Sequence, residues 1–420
     1  MILELICSLS REESFVTTSL DDIRQSKPYP GSKVRRLSLH NATWPSMEMS
    51  KLRSLTIFSS TTVNSMTSQL SCCHLLRVLD LQGCNLQDHP SLRFLGNLFH
   101  LRYLSLARTG YAGELPPVEI GKLQFLQTLD ISGTDIEELP LSIVGLKQLM
   151  RLLVESSTRL PNRLRNLTSL EDLWGARVDS ACTAEELGHL MQLRILRVDL
   201  RSDNEGRWDE RVCKALVASL GKLHRIQSLA VMTWDDVVPD LEGSVESLSN
   251  LSFLYISKTK FLPTWISPAS LVLLSYLEIM VVQVRRKDIQ VLGKLQALRY
   301  LRVYVRVSDD KQVLKRFMVS PDAFPCVIKC TFYGFTTVPS MFPPGAMPRL
   351  EEFRFCIQLE DFSGGEFTAD DLALGHLPSL QSVRVDLFGK RNVSQEVGRQ
   401  VEEKLWHEAD IHPNHPKLWH

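Results

Sequence analysis

The side chains with the most chemistry to offer are aromatic and guanidinium groups at alternate positions. Phe253 and Tyr255, then Tyr276, then Tyr300, Arg302 and Tyr304, then Tyr333, Arg354 and Arg384 each stand next to an apolar residue of the repeat frame. Alternation of this kind puts one set of residues on one face of a strand and the intervening set on the other. The chemistry is non-covalent recognition: Tyr, Trp and Arg dominate the energetically important centres of protein interfaces, and a tyrosine combines a rigid apolar ring with a polar tip. Covalent chemistry has weaker candidates. Gly364-Gly365, Gly221-Lys222 and Gly121-Lys122 lack the spacing of a phosphate loop, and no H-E-x-x-H or G-x-S-x-G is present. Cys72-Cys73-His74 and the Cys326/Cys330 pair have no second pair at zinc spacing. His412 and His415 read as solvated tail histidines. The sequence therefore assigns no catalytic, metal or cofactor site, and the protein reads as a binder and not an enzyme.

The residues that position those side chains recur. Leu76-Arg77-Val78-Leu79-Asp80-Leu81-Gln82-Gly83-Cys84 returns as Leu101-Arg102-Tyr103-Leu104-Ser105-Leu106-Ala107-Arg108-Thr109, and again as Leu126-Gln127-Thr128-Leu129-Asp130-Ile131-Ser132-Gly133-Thr134. A period of this length, with L-x-x-L-x-L-x-x-N/C/T, is the pattern of a leucine-rich repeat, whose units bury their apolar face only by stacking on one another. The frame can be followed from Val34 through Leu52, Leu76, Leu101, Leu126, Leu149, Leu170, Leu193, Ile226, Leu251, Leu274, Leu298, Val327 and Leu350 to Leu380, about fifteen units. The expected fold is an α/β solenoid, a curved horseshoe with a parallel sheet on the concave face and short helices and turns on the convex face. Residues 1–33 read as a capping helix, 34–390 as the repeats and 391–420 as a closing helix and tail. That helix shows in Val397, Val401 and Leu405, and residues 412–416 break it. A second helix is expected from Glu210 to Leu220, and polar insertions near 201–207, 308–325 and 361–371.

Composition narrows the partners. Forty-eight basic residues balance forty-eight acidic ones, so bulk charge gives no case for nucleic acid or an anionic membrane. No apolar run approaches the roughly 20 residues of a membrane span. The nine cysteines are odd in number and scattered, which favours free thiols over a disulfide framework and outweighs the glycosylation sequons at Asn41, Asn166, Asn250 and Asn392.

Several units continue into an L-P-x-x-I-x-x-L form: Leu115-Pro116-Pro117-Val118-Glu119-Ile120, Leu139-Pro140-Leu141-Ser142-Ile143 and Leu160-Pro161-Asn162-Arg163-Leu164. With Val34-Arg35-Arg36-Leu37-Ser38-Leu39 and the end Asn414-His415-Pro416, this resembles the repeat portion of plant nucleotide-binding leucine-rich-repeat (NLR) immune receptors, the grass coiled-coil subclass in particular. The resemblance implies an intracellular protein, in the cytoplasm or nucleus, acting in innate immunity. Its partners would be a pathogen effector or a guarded host protein and, through the first units, the receptor's own nucleotide-binding module. A segment like Met1-Ile2-Leu3-Glu4-Leu5-Ile6 follows that module in the family, so ATP or ADP would be bound only by the module and not by this chain. In the early units the outward slots hold small or polar residues (Ser38, Ser54, Thr56, Asp80, Ser105, Thr128, Asp130, Ser132), and the expected binding patch lies in the later units. A stand-alone adaptor or decoy scaffold, and the substrate-recognition subunit of a ubiquitin ligase, are the alternative readings.

Overall fold

In the computed structural model, residues 34–40, 50–58, 67–87, 91–202, 208–234, 238–245, 248–306, 317–365, 367–389 and 395–419 are described. The helix expected within residues 1–33 lies outside them, as do residues 203–207 and 308–316 of the first two insertions.

Every leucine frame read from the sequence becomes a strand. The first unit, Met1–Val178 with His189–Asp199, contains β1 (Arg36–His40), β2 (Ser54–Phe58), β3 (Val78–Asp80), β4 (Tyr103–Ser105), β5 (Thr128–Asp130), β6 (Arg151–Leu153) and β7 (Asp172–Val178). β8 (Ile195–Leu200) ends at the boundary of the second unit. That unit holds β9 (Ser228–Thr233), β10 (Phe253–Thr259), β11 (Tyr276–Val281), β12 (Tyr300–Val305), β13 (Lys329–Thr336), β14 (Glu352–Gln358), β15 (Ser382–Phe388) and β16 (Lys417–Trp419). The sixteen strands form one sheet in sequence order. The structure is an α/β leucine-rich-repeat solenoid.

The repeat residues explain the geometry of each turn. Leu79, Leu81, Leu104, Leu106, Leu129 and Ile131 have no exposed surface, and they form the continuous core that no single unit could build. The N/C/T position serves the backbone. The Thr109 and Thr134 hydroxyls donate to the Leu106 and Ile131 carbonyls at 2.7 Å, and the Cys84 thiol donates to the Ile57 carbonyl at 3.5 Å. These groups satisfy carbonyls that would otherwise be buried without partners where the ladder ends. Asp80 and Asp130 accept from the amides of Gln82 and Ser132, which turns the chain out of the strand. The proline of L-P-x-x-I then starts the return segment: Pro117 begins a short helix, Pro117–Gly121, and Pro140 caps the 3-10 turn Leu141–Gly145.

In the second unit the return segments lengthen. α1 (Ala181–Leu187) is capped by the Ser180 hydroxyl, which accepts from the Thr183 amide. α2 (Glu210–Leu220), as expected from its sequence, buries Val212, Leu216, Val217 and Leu220. The core of the later repeats changes from leucine to phenylalanine, with Phe317, Phe332, Phe342 and Phe353 fully buried and in mutual ring contact. Among them β13 bulges: its register with β14 shifts between Thr331 and Thr336. Gly334 sits in the bulge at φ 83, and a Cβ there would collide with the Val305 carbonyl oxygen. The bulge turns Phe335 and Thr336 inward in succession while Tyr333 stays on the open face.

The C-terminus departs from its sequence reading. α3 (Gln395–Ile411) is present and buries Val401 and Leu405, but the residues after it do not simply leave the fold. They return as β16, with Ser382, Val383 and Arg384 of β15 opposite Lys417, Leu418 and Trp419. His412, expected in solvent, is 1% exposed. Its Nε2 donates to the Leu377 carbonyl at 3.2 Å, and its Nδ1 accepts from the Asn414 amide at 3.1 Å. A ring satisfied at both nitrogens tolerates burial, and here it ties the chain reversal to the last repeat. Ser105 is a second correction: it occupies an outward slot but has no exposed surface, and its hydroxyl accepts from the Ala107 amide at 3.3 Å.

Candidate protein-interaction surface

The nine aromatic and arginine residues singled out above all lie on one face of the second unit, placed there by the strict alternation of β10 to β15. On these strands Leu254, Ile256, Leu277, Ile279, Leu301, Val303, Phe332, Phe353 and Val383 point into the core. The residues between them form rows set by the strand register. Phe253, Tyr276 and Tyr300 are opposite one another, continuing into Lys329, Glu352, Ser382 and Lys417. The next row runs Tyr255, Glu278, Arg302, Thr331, Arg354, Arg384 and Trp419. Met280, Tyr304 and Tyr333 begin a third.

The rings make two clusters. Phe253 and Tyr276 stack with centroids 4.5 Å apart and planes 12° from parallel, and Tyr300 lies 6.2 Å beyond Tyr276. Tyr333 has Tyr304 at 6.0 Å on one side and the edge of Phe388 at 5.9 Å on the other, and the Arg354 guanidinium lies over its ring at 5.6 Å. Aromatic pairs of this kind are worth about 0.5–1.5 kcal/mol beyond their buried area, so the rings support each other as well as presenting a surface. Tyr300 remains 39% exposed.

Carboxylates that the sequence reading passed over organise the charges. Glu278 accepts from the Tyr276 hydroxyl at 2.5 Å and from Arg302 at 3.2 Å. Burial, followed by this bond to a carboxylate, pushes the Tyr276 phenol up to about 12. Asp386 receives Arg354 at 2.9 Å and Arg384 at 4.0 Å, and the bond to Asp386 raises the Arg354 guanidinium. Lys329 pairs with Glu352 at 2.6 Å. Exposed pairs of this type add little to stability. Their larger effect is to hold Arg302 and Arg354 at fixed angles above the sheet. Glu278, Glu352 and Asp386 occupy the same outward slots as the aromatic residues, so the alternation alone could have found them. Trp419, 60% exposed, was hidden in the unrecognised last strand. With Tyr300, Arg302, Tyr304, Arg354 and Arg384 it lines a groove of about 380 Å³. The lining mixes rings, cations and carboxylates.

A family profile described as "Leucine-rich repeat region" matches residues 51–418. The chain belongs to the leucine-rich repeat family. Among curated proteins, this leucine-rich repeat chain is 27% identical to the disease resistance protein RGA5 of Oryza sativa subsp. japonica, over 93% of its own length and 36% of the relative's. It is 27% identical to the disease resistance protein RGA4 of the same organism, over 100% of its length and 41% of the relative's. The chain thus spans well under half the length of these relatives. Both matches agree with the resemblance drawn from the L-P-x-x-I units. In fold, the repeats match a leucine-rich repeat protein of Leptospira interrogans with a TM-score of 0.52 and 16% identity, covering 84% of this chain and 89% of that one. They also match a TDR receptor structure with a TM-score of 0.52 and 17% identity, covering 92% and 66%. Every cysteine among the described residues is a free thiol, and no described helix is long and apolar enough to cross a membrane.

Proposed function

We propose that this chain is the sensing repeat array of an intracellular plant immune receptor, which recognises a pathogen effector, or a host protein the effector alters, through the open face of β10 to β16. The observation that carries the reading is the alignment of Tyr276, Tyr300, Tyr304, Tyr333, Arg302 and Arg354 in register on an exposed sheet face. Similarity to disease resistance proteins supports it. Rings and guanidinium groups are the usual anchors of tight protein interfaces. Prior ordering by Glu278 and Asp386 removes part of the entropy cost of binding them. The first repeats would pack on the receptor's nucleotide-binding module and restrain it. That module, and not this chain, would bind ADP or ATP.

The test is a two-hybrid screen of secreted pathogen proteins and host proteins, run in parallel with the wild type and with Tyr300→Ala/Tyr304→Ala/Tyr333→Ala. Supporting binders are captured by the wild type and lost by the triple variant, while the variant keeps its circular dichroism spectrum and melts within a few degrees of the wild type. Binding that persists in a variant of much lower melting temperature would make the ring clusters a structural feature only.

A further inference from the structure

A second surface stands out in the first unit, built from a row of arginines. Arg35, Arg53, Arg77 and Arg102 each occupy the residue immediately before a strand, at β1, β2, β3 and β4. Backbone hydrogen bonds hold them in register: the Arg53 amide donates to the Arg35 carbonyl at 2.7 Å, Arg77 to Arg53 at 2.8 Å and Arg102 to Arg77 at 2.7 Å. Four like charges are therefore stacked at the spacing of parallel strands, about 4.8 Å, in a row roughly 14 Å long. All four side chains are exposed. None has an ion pair or a side-chain hydrogen bond among the described residues. In the strands that follow, the same position holds Gln127, Met150 and Glu171, so the frame does not require arginine. Like charges directly opposite one another destabilise a sheet, and in a chain of zero net charge the row is not a by-product of bulk basicity.

An aromatic series comes from the turns that lead into β3, β4 and β5. His74 stacks on Phe99 at 6.3 Å, Phe99 meets His100 at 4.7 Å, and His100 stacks on Phe125 at 6.1 Å. Phe99 and Phe125 are 45% and 44% exposed. In the stacked pairs His74–Phe99 and His100–Phe125 each ring gives one face to its neighbour, while Phe99 and His100 meet at 55°. A nucleobase needs a free ring face to stack on. A carboxylate is attracted to the electropositive ring edge and fits the guanidinium fork bidentately. We infer that this ladder is a docking site for an acidic protein segment, one that sets three or four carboxylates along the four arginines with apolar side chains against Phe99 and Phe125. The site is separate from the face of β10 to β16 and does not depend on its role.

Poly-L-glutamate serves as the probe, with oligothymidylate of equal charge as the competing polyanion, both titrated against the full chain at low and high salt. The expected result is salt-sensitive binding of poly-L-glutamate that weakens at least ~tenfold in Arg53→Gln/Arg77→Gln/Arg102→Gln. It should be unchanged in Arg299→Gln, which alters the same strand position in the second unit. The triple variant should melt at the wild-type temperature or above it, since a repulsive row has been removed. Equal binding by the triple variant, or tighter binding of oligothymidylate through the same arginines, overturns the proposal. A marked drop in melting temperature, placing the arginines in the scaffold, overturns it as well.

Discussion

Glu278 is the residue on which the first ring cluster turns. Its carboxylate joins a tyrosine of one strand to an arginine of the next, and it makes Tyr276 a reluctant acid. The phenol rises from 10 to about 12 through burial and then through its bond to Glu278. The folded chain therefore holds this proton more tightly than the unfolded chain does. The associated stability is complete below pH 10 and is lost as the pH climbs toward about 12. In an alkaline absorbance titration, the difference between the wild type and Tyr276→Phe should be a phenolate band centred near 12. Glu278→Gln should move that band to lower pH, because the neutral amide no longer opposes ionisation. A band at the ordinary tyrosine value in the wild type would mean that the Tyr276–Glu278 bond does not persist in solution. At this scale the sequence was readable only in part. The alternation identified Tyr276 and Arg302 as neighbours on one face, but their shared acceptor depends on strand register, which a single chain of letters does not state.

At the scale of elements, the strands were legible wherever leucines repeat, because a buried side chain must recur at each turn of the solenoid. The closing element was not. β16 is only three residues long, has a single frame leucine, Leu418, and follows a proline that reads as a breaker. Its position is fixed by a polar clasp: His412 bridges the Leu377 carbonyl and the Asn414 amide, and the Asn414 side chain donates to the Pro378 carbonyl at 2.7 Å. The β13 bulge escaped the sequence reading for a similar reason, since the two-residue period that holds from Lys329 to Tyr333 ends at Gly334. The clasp gives a prediction for the cap. His412→Ala leaves a buried carbonyl unsatisfied and should cost about 1–3 kcal/mol in chemical denaturation. The Lys417 amide, which donates to Gln381 at 2.9 Å, should exchange with solvent much faster. Asn414→Ala, at an exposed position, should have the smaller effect. Unchanged exchange at Lys417 in His412→Ala would show that α3 alone holds the last strand.

Across the whole molecule, each repeat is stabilised through the repeats on either side, so damage should stay local and spread outward from its origin. The phenylalanine core of the later units provides the sharpest place to create damage. Phe332 has no exposed surface and contacts Phe317, Phe335, Phe342 and Phe353. Truncating it to alanine removes a large buried ring and leaves a cavity that its aromatic neighbours cannot close without losing their own edge-to-face contacts. The expected cost is about 3–5 kcal/mol. In a globular domain with one core that loss would lower protection everywhere. Here the second unit has its own compact contact network, distinct from that of the first. Hydrogen-exchange mass spectrometry of Phe332→Ala should therefore show faster exchange centred on β12, β13 and β14, with β2 to β6 still protected as in the wild type. Binding at the open face of β10 to β16 should fall in the same variant, while binding of poly-L-glutamate at the arginine ladder should persist, because the two surfaces rest on different units. Uniform loss of protection from β2 to β15 would instead make the solenoid one cooperative unit, and the two surfaces would then rise and fall together.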